Sequence, residues 1–169
     1  KPRRMHSVRL SPADELTVSD LVLSLFPDSI AASPRPGDGG LVQRLDYWTS
    51  GAILAAKFRP IWDALHAELI AERIQKTYLA IVEGIPKRSN FIIDQPFLIS
   101  KNKKRVRIAK PSEKDVLEAR TEIEVIMSFG DCTLVRATMC RGRRHQVRAH
   151  LSNSGHPLIG DDLYGSERR

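Results

Sequence analysis

The chain has 169 residues, with 27 Lys or Arg against 20 Asp or Glu, for a formal net charge of +7. That length suits one domain with a real core, and a composition 41% hydrophobic and 28% charged excludes wholesale disorder. No apolar run approaches the roughly 20 residues that a bilayer-spanning helix needs, which excludes a helical membrane protein.

In chain order, residues 11–26 predict a helix. Thr17 is its cap, Asp20 sits at the third helical position in a capping-box arrangement, and Leu21 and Leu25 share a face. Pro27 stops it. Ser33–Gly40 holds two Pro and three Gly in eight residues and reads as a turn-rich loop. Gly51–Ala56 reads as a short buried strand, and Pro60–Glu72 as a helix with Ile61, Leu65 and Leu69 four residues apart. Strands follow at Tyr78–Val82, 90–99, 103–108, 118–128, 132–139 and 146–151. The sum is an α+β domain, with a mixed, mainly antiparallel sheet and flanking helices, spanning 1–169 as a single unit.

The charge is uneven. Residues 101–150 hold thirteen Lys or Arg against six Asp or Glu, whereas the other 119 residues balance. The excess falls in Lys101–Lys110 and Arg141–Arg148, a footprint suited to a polyanion such as nucleic acid. Solvated loop lysines read the same way in the first cluster. Two cysteines, Cys132 and Cys140, make neither a disulfide framework nor a zinc site. With no secretory signal at the start, they fit reduced thiols in the cytoplasm. Lys1 is not an initiator Met, so the chain reads as trimmed.

Three polar segments look costly to bury. In Gln43–Gly51, Arg44 and Asp46 lie two apart and point the same way on an extended chain, while Thr49 and Ser50 offer donors to a carboxylate. An Asx-type turn with Asp46 bonding its own backbone is the other reading. In Lys76–Ala80, Tyr78 enters an aliphatic strand, as a core tyrosine also would. In Arg141–His150, strand alternation would put Arg144, Gln146 and Arg148 on one face and His145, Val147 and Ala149 on the other; a solvated basic edge reads equally well. His145, His150 and His156 are spaced by five and six, which fits no helical pair or finger, and no metal is expected.

In this order the segments resemble the RluA family of pseudouridine synthases. The family's HRLDxxTSG appears as QRLDYWTSG at 43–51, its KxYxAxVxG as KTYLAIVEG at 76–84, and its GRxHQxRxH as GRRHQVRAH at 142–150. GHPLIGDDLYG at 155–165 and EARTEIEVI at 118–126 match two further stretches. Gln43 stands where the family has His, and Arg144 where it has Ser or Thr. The family also has a strand before the Lys1-Pro2 segment and more chain after Gly165, and no S4-type RNA-binding module fits here.

The resemblance implies isomerisation of uridine to pseudouridine in structured ribosomal or transfer RNA, with the target base flipped out of its stack. It makes Asp46 the catalytic aspartate, Tyr78 the residue that stacks on the base, and Arg148 the cation that keeps Asp46 ionised. Arg44, Arg143, His145 and Gln146 are then RNA contacts. The rearrangement is redox-neutral and implies no cofactor, and the protein is expected to be a cytoplasmic monomer. The rival readings are an RNA-binding domain that has lost activity and an aspartate-dependent hydrolase of small nucleosides.

Overall fold

The first helix carries the capping box that its sequence predicts. A computed structural model of the chain describes residues 1–98 and 105–165, and in it α1 spans Val18–Leu25. The Thr17 hydroxyl accepts the Asp20 amide at 3.2 Å, and the Asp20 carboxylate accepts the Thr17 amide at 2.9 Å. Two amides that the helix start would otherwise leave orphaned are thereby satisfied. Thr17 is completely buried. Pro27 follows the helix cap and opens a 3-10 turn, Pro27–Ala31.

The chain divides into two compact units, Lys1–Ala71 and Glu72–Arg169. In the first, a second 3-10 turn at Pro36–Asp38 leads into Gly39 and Gly40, both at positive φ. A side chain at Gly40 would meet a wall, because its Cβ would lie 2.1 Å from the Ala56 carbonyl oxygen. The Ala56 amide donates to the Gly40 carbonyl at 2.9 Å, and the Val42 amide to the Leu54 carbonyl at 3.0 Å. Those bonds close the base of a loop, residues 43–53. The apolar run Gly51–Ala56 is therefore not a buried strand. It pairs with the short 40–42 stretch through a single bridge, between Leu41 and Ala55, and of the run only Ala56 is buried. Helix α2, Arg59–Ile70, carries Pro60 in its first turn, where a missing amide costs nothing. Trp62 of α2 donates its indole N–H to the Leu41 carbonyl at 3.1 Å.

The second unit holds β1 (Lys76–Glu83), β2 (Asn90–Asp94), β3 (Phe97–Leu98), β4 (Val116–Leu117), β5 (Arg120–Phe129), β6 (Cys132–Met139) and α3 (Gln146–Asn153). Four strands form an antiparallel sheet in the order β1-β6-β5-β2, and β3 pairs with β4 in a separate ribbon. The expected strand at 90–99 is split by Gln95-Pro96, and Ile99 lies outside the described residues. The expected strand at 103–108 falls partly outside them too; within them, Ile108 makes a single bridge to Phe97. Of the first basic cluster, Lys101–Lys104 is likewise outside the described residues.

Alternation along the strands sends Ala80 and Val82 of β1, Val135 and Ala137 of β6, Ile123 of β5 and Ile93 of β2 into one core, which Leu151 of α3 completes. A second cluster gathers Phe97, Ala119, Ala149 and Tyr164. Burying such side chains is worth about 1.5–3 kcal/mol each for the larger ones, so α3 is pinned by two cores at once.

Residues 146–151 are helical, against the strand that alternation predicts. Gln, Arg, Ala and Leu favour helix and only Val147 is β-branched; the buried positions Gln146, Ala149 and His150 repeat at helical spacing. Arg144, Gln146 and Arg148 consequently share no strand face: Arg144 is exposed, Gln146 buried and Arg148 half-buried. The expected α+β class with a mainly antiparallel sheet holds.

Candidate active site

In the first unit, Asp46 opens a turn in which its carbonyl accepts the Thr49 amide at 3.0 Å. The Ser7 hydroxyl grips the preceding residue from both sides, donating to the Leu45 carbonyl at 2.9 Å and accepting the Leu45 amide at 3.0 Å. Ser7 is buried and Asp46 half-buried. Lys1 supplies positive charge here. Its ammonium donates to the Tyr47 carbonyl at 3.2 Å; burial pushes its pKa down, while the Asp46 carboxylate pulls it up. Arg44 is exposed on the same loop. The Gln43 carboxamide oxygen is buried and has no hydrogen-bond partner among the described residues.

In the second unit, Arg148 makes a two-pronged pair with Asp161, Nε to Oδ2 at 2.7 Å and an η-nitrogen to Oδ1 at 2.8 Å. Asp161 also accepts the amides of Leu163 and Tyr164 at 3.1 and 3.2 Å. Burial pushes the Asp161 carboxyl up, but the guanidinium and the two amides outweigh it and hold it below the usual carboxylate range. The Arg148 guanidinium lies 5.1 Å from the centre of the buried Tyr164 ring. The Tyr164 hydroxyl accepts the Val106 amide at 2.9 Å and meets His145 Nδ1 at 3.0 Å. His145 caps α3 at φ 54, a left-handed conformation uncommon outside glycine.

Behind this cluster runs a buried chain of hydrogen bonds. The Arg143 amide donates to Gln146 Oε1 at 2.8 Å, and Gln146 Nε2 donates to the Arg120 carbonyl and to Thr121 Oγ1, each at 3.0 Å. Thr121 Oγ1 lies 2.8 Å from His150 Nδ1, and His150 Nε2 lies 2.9 Å from the Gln95 carbonyl. A carbonyl can only accept, so Nε2 carries the proton and Nδ1 accepts from Thr121. Burial pushes the His150 pKa down against the Gln95 carbonyl and Asp94. The Phe97 ring stacks on the imidazole, with centroids 4.8 Å apart.

Of the residues singled out from sequence, Asp46 and Arg44 therefore lie on one loop of the first unit. Arg143, His145, Gln146 and Arg148 gather around the start of α3 in the second. Tyr78 lies on β1 opposite Ala137, partly buried on the core face. Gln146 works inside the fold, holding the Arg143 backbone. Asp161 and Tyr164 were missed as site residues, although their motif stretch was visible; only the fold shows that they hold Arg148 and His145. The three clustered histidines have separate partners, His156 Nδ1 donating to the Glu83 carbonyl at 2.9 Å.

Comparison with known proteins assigns the family. The model of the RNA pseudouridylate synthase family matches residues 1–153. A ribosomal large subunit pseudouridine synthase C of Vibrio vulnificus is 40% identical over 131 residues, which cover 76% of this chain and 39% of that protein. An uncharacterized RNA pseudouridine synthase of Chloroflexus aurantiacus is 35% identical over 153 residues, 90% of this chain and 46% of that one. The chain thus spans less than half the length of these relatives. Among solved structures, human RNA Pseudouridylate Synthase Domain Containing 1 superposes with a TM-score of 0.72 at 25% identity, covering 98% of this chain and 65% of the other. The 43–51, 76–84 and 142–150 motifs and the antiparallel sheet agree with these matches, and the chain belongs to the RNA pseudouridylate synthase family.

Proposed function

We propose that this chain isomerises uridine to pseudouridine in ribosomal RNA, in line with relatives named ribosomal large subunit pseudouridine synthase C. The reaction breaks the bond from the ribose to N1, turns the freed base, rejoins it through C5 and releases the C5 proton, while N1 takes up a proton in exchange. Atoms and electrons balance without an oxidant or a donor group, so the reading calls for no cofactor. Asp46 is the proposed catalytic carboxylate. Whether it attacks the nucleoside or takes a sugar proton, it must be ionised, and the Lys1 ammonium is held nearby on the carbonyl of the next residue, Tyr47.

Tyr78 is proposed to hold the detached base by stacking, worth about 1–3 kcal/mol per base, without fixing its hydrogen-bonding edges. Arg148 is proposed as the cation that serves the aspartate, with Asp161 setting its orientation. Arg44, Arg143 and His145 are proposed RNA contacts, and transfer RNA is a second possible substrate class. Among the described residues no helix is long and apolar enough to cross a membrane; action in the cytoplasm, as a monomeric single domain, belongs to the same proposal.

The observation that carries this reading is the ordered set of family motifs with Asp46 at the centre of the first. The test is tritium release from ribosomal RNA labelled at uridine C5, with Asp46→Asn beside the wild type. The carboxamide should slow release by at least about 10²–10⁴-fold, the usual worth of a positioned acid or base. No release by wild type that binds the RNA would overturn the reading in favour of a binding domain, and equal release by both proteins would overturn the role of Asp46.

A further inference from the structure

The family motif at 43–51 leaves two positions unspecified, and this chain fills them with Tyr47 and Trp48. Trp48, two residues after Asp46, leaves 59% of its surface exposed. An isolated exposed aromatic would mean little, but this one is surrounded by cations and braced. The Arg3 and Arg4 guanidinium carbons lie 5.8 and 5.7 Å from its ring centroid, and Tyr47 meets it edge-on at 5.2 Å, itself backed by His6 at 4.7 Å.

The arrangement is built by the backbone. The Arg4 and Met5 amides donate to the Tyr47 carbonyl at 2.8 and 3.4 Å, and the Gly51 amide donates to the Lys1 carbonyl at 3.0 Å. Arg4 sits at φ 61, a left-handed conformation unfavourable for a residue with a Cβ and sustained by what surrounds it. The ring and both guanidinium groups are therefore held together before any ligand arrives. An apolar protein partner covering the indole would have to strip water from two cations. A nucleobase brings its own phosphates to those cations and presents a π-face to the ring.

We propose that Trp48, Arg3 and Arg4 form a stacking clamp for an unpaired nucleobase of the RNA substrate near the target uridine, with the base on the indole and its flanking phosphates on the guanidinium groups. The proposal rests on the reading of RNA as substrate. Because every base has a π-face, the clamp tolerates sequence and fixes position.

Tryptophan fluorescence tests it, with wild type and Trp48→Phe titrated with single-stranded hexa-adenylate and with ribosomal RNA. The chain has two tryptophans, so Trp62 is a common background in both proteins. Stacking should give saturable quenching in the wild type that is absent from Trp48→Phe. Trp48→Ala should raise Kd about 5- to 150-fold, and Arg3→Gln with Arg4→Gln should lower the slope of log K against log salt by about 1.4. Equal quenching in wild type and Trp48→Phe, or a Trp48→Ala Kd within twofold of wild type, would overturn the clamp. Tritium release separates the two ideas. Quenching by Trp48 without release defeats the isomerase and supports the clamp, whereas release unchanged by the Trp48 variants, with unchanged binding, defeats the clamp alone.

Discussion

Around Asp46 the chain is held through its main-chain amides and carbonyls, from the Gly40–Ala56 and Val42–Leu54 bonds at the loop base to the Asp46–Thr49 turn, with the Ser7 hydroxyl on the Leu45 backbone. Around Arg148 it is fixed by side chains, through the Asp161 pair, the Tyr164 hydroxyl and the Gln146–Thr121–His150 chain. The first arrangement leaves the loop's side chains free to vary, as Tyr47 and Trp48 do, but demands backbone room at Gly40. The second tolerates no change of charge or hydrogen-bonding capacity, because each buried group has a named partner. Substitutions of opposite kinds should therefore break the two regions.

Removing one charge from the second region should have the largest effect on folding. Asp161→Asn keeps the shape but leaves Arg148, whose side chain is only 20% exposed, without its two-pronged partner. Removing one member of a buried pair costs about 3–5 kcal/mol, and the residual exposure of Arg148 points to the lower end. The urea midpoint at neutral pH measures it. The acid limb gives a second check: because the folded Asp161 carboxyl lies below its unfolded value, its contribution is full above about pH 4 and is lost as pH falls through the folded pKa. Asp161→Asn should flatten that limb, and a variant within 1 kcal/mol of wild type would show that the pair is not what holds Arg148.

Adding one methyl group to the first region sharpens the contrast. Gly40→Ala changes no charge, but it forces a Cβ to φ 74 and against the Ala56 carbonyl. The backbone strain alone costs about 1–3 kcal/mol, and the loop base must open to relieve the contact. Amide hydrogen exchange should accelerate at Val42 and Ala56 while the amides of α3 keep their protection. Uniform acceleration across both units would mean that the loop base is not locally closed.

The contrast also explains what the sequence disclosed. The capping box of α1 and the strands β1, β5 and β6 were legible because local hydrogen bonding and period-two burial decide them. The start of α3 was misread because Gln146 and Arg148 happen to alternate with apolar neighbours. Its helical state is set by two cores, reached through Ala149 and Leu151, that no local window contains. The motif residues were legible as types. Asp161 was not legible as the partner of Arg148, since thirteen residues and a turn separate them, and the closed base of the Asp46 loop rests on main-chain contacts that no side-chain pattern encodes.

The smallest expected effect concerns His150, the far end of the side-chain network. Its imidazole is fully buried and its folded pKa lies below the ordinary value. Above about pH 6.5 both folded and unfolded forms are neutral, and the group makes no pH-dependent contribution. As pH falls below that value, the unfolded chain takes up a proton that the folded one resists. Stability should then decline with a slope approaching about 1.4 kcal/mol per pH unit, until the folded imidazole also protonates. Protonation would place a second donor against Thr121 Oγ1, which already accepts from Gln146, so the hydroxyl proton would lose its acceptor. The strain passes along Gln146 to the Arg143 amide, and α3 should loosen at its start before the sheet does. Urea midpoints at pH 7 and 5.5 should differ more in wild type than in His150→Asn, which lowers stability at both pH values but removes this titration. Equal differences in the two proteins would mean that Thr121 and Gln95 accommodate the imidazolium, and that the order of donors along the chain is not fixed by His150.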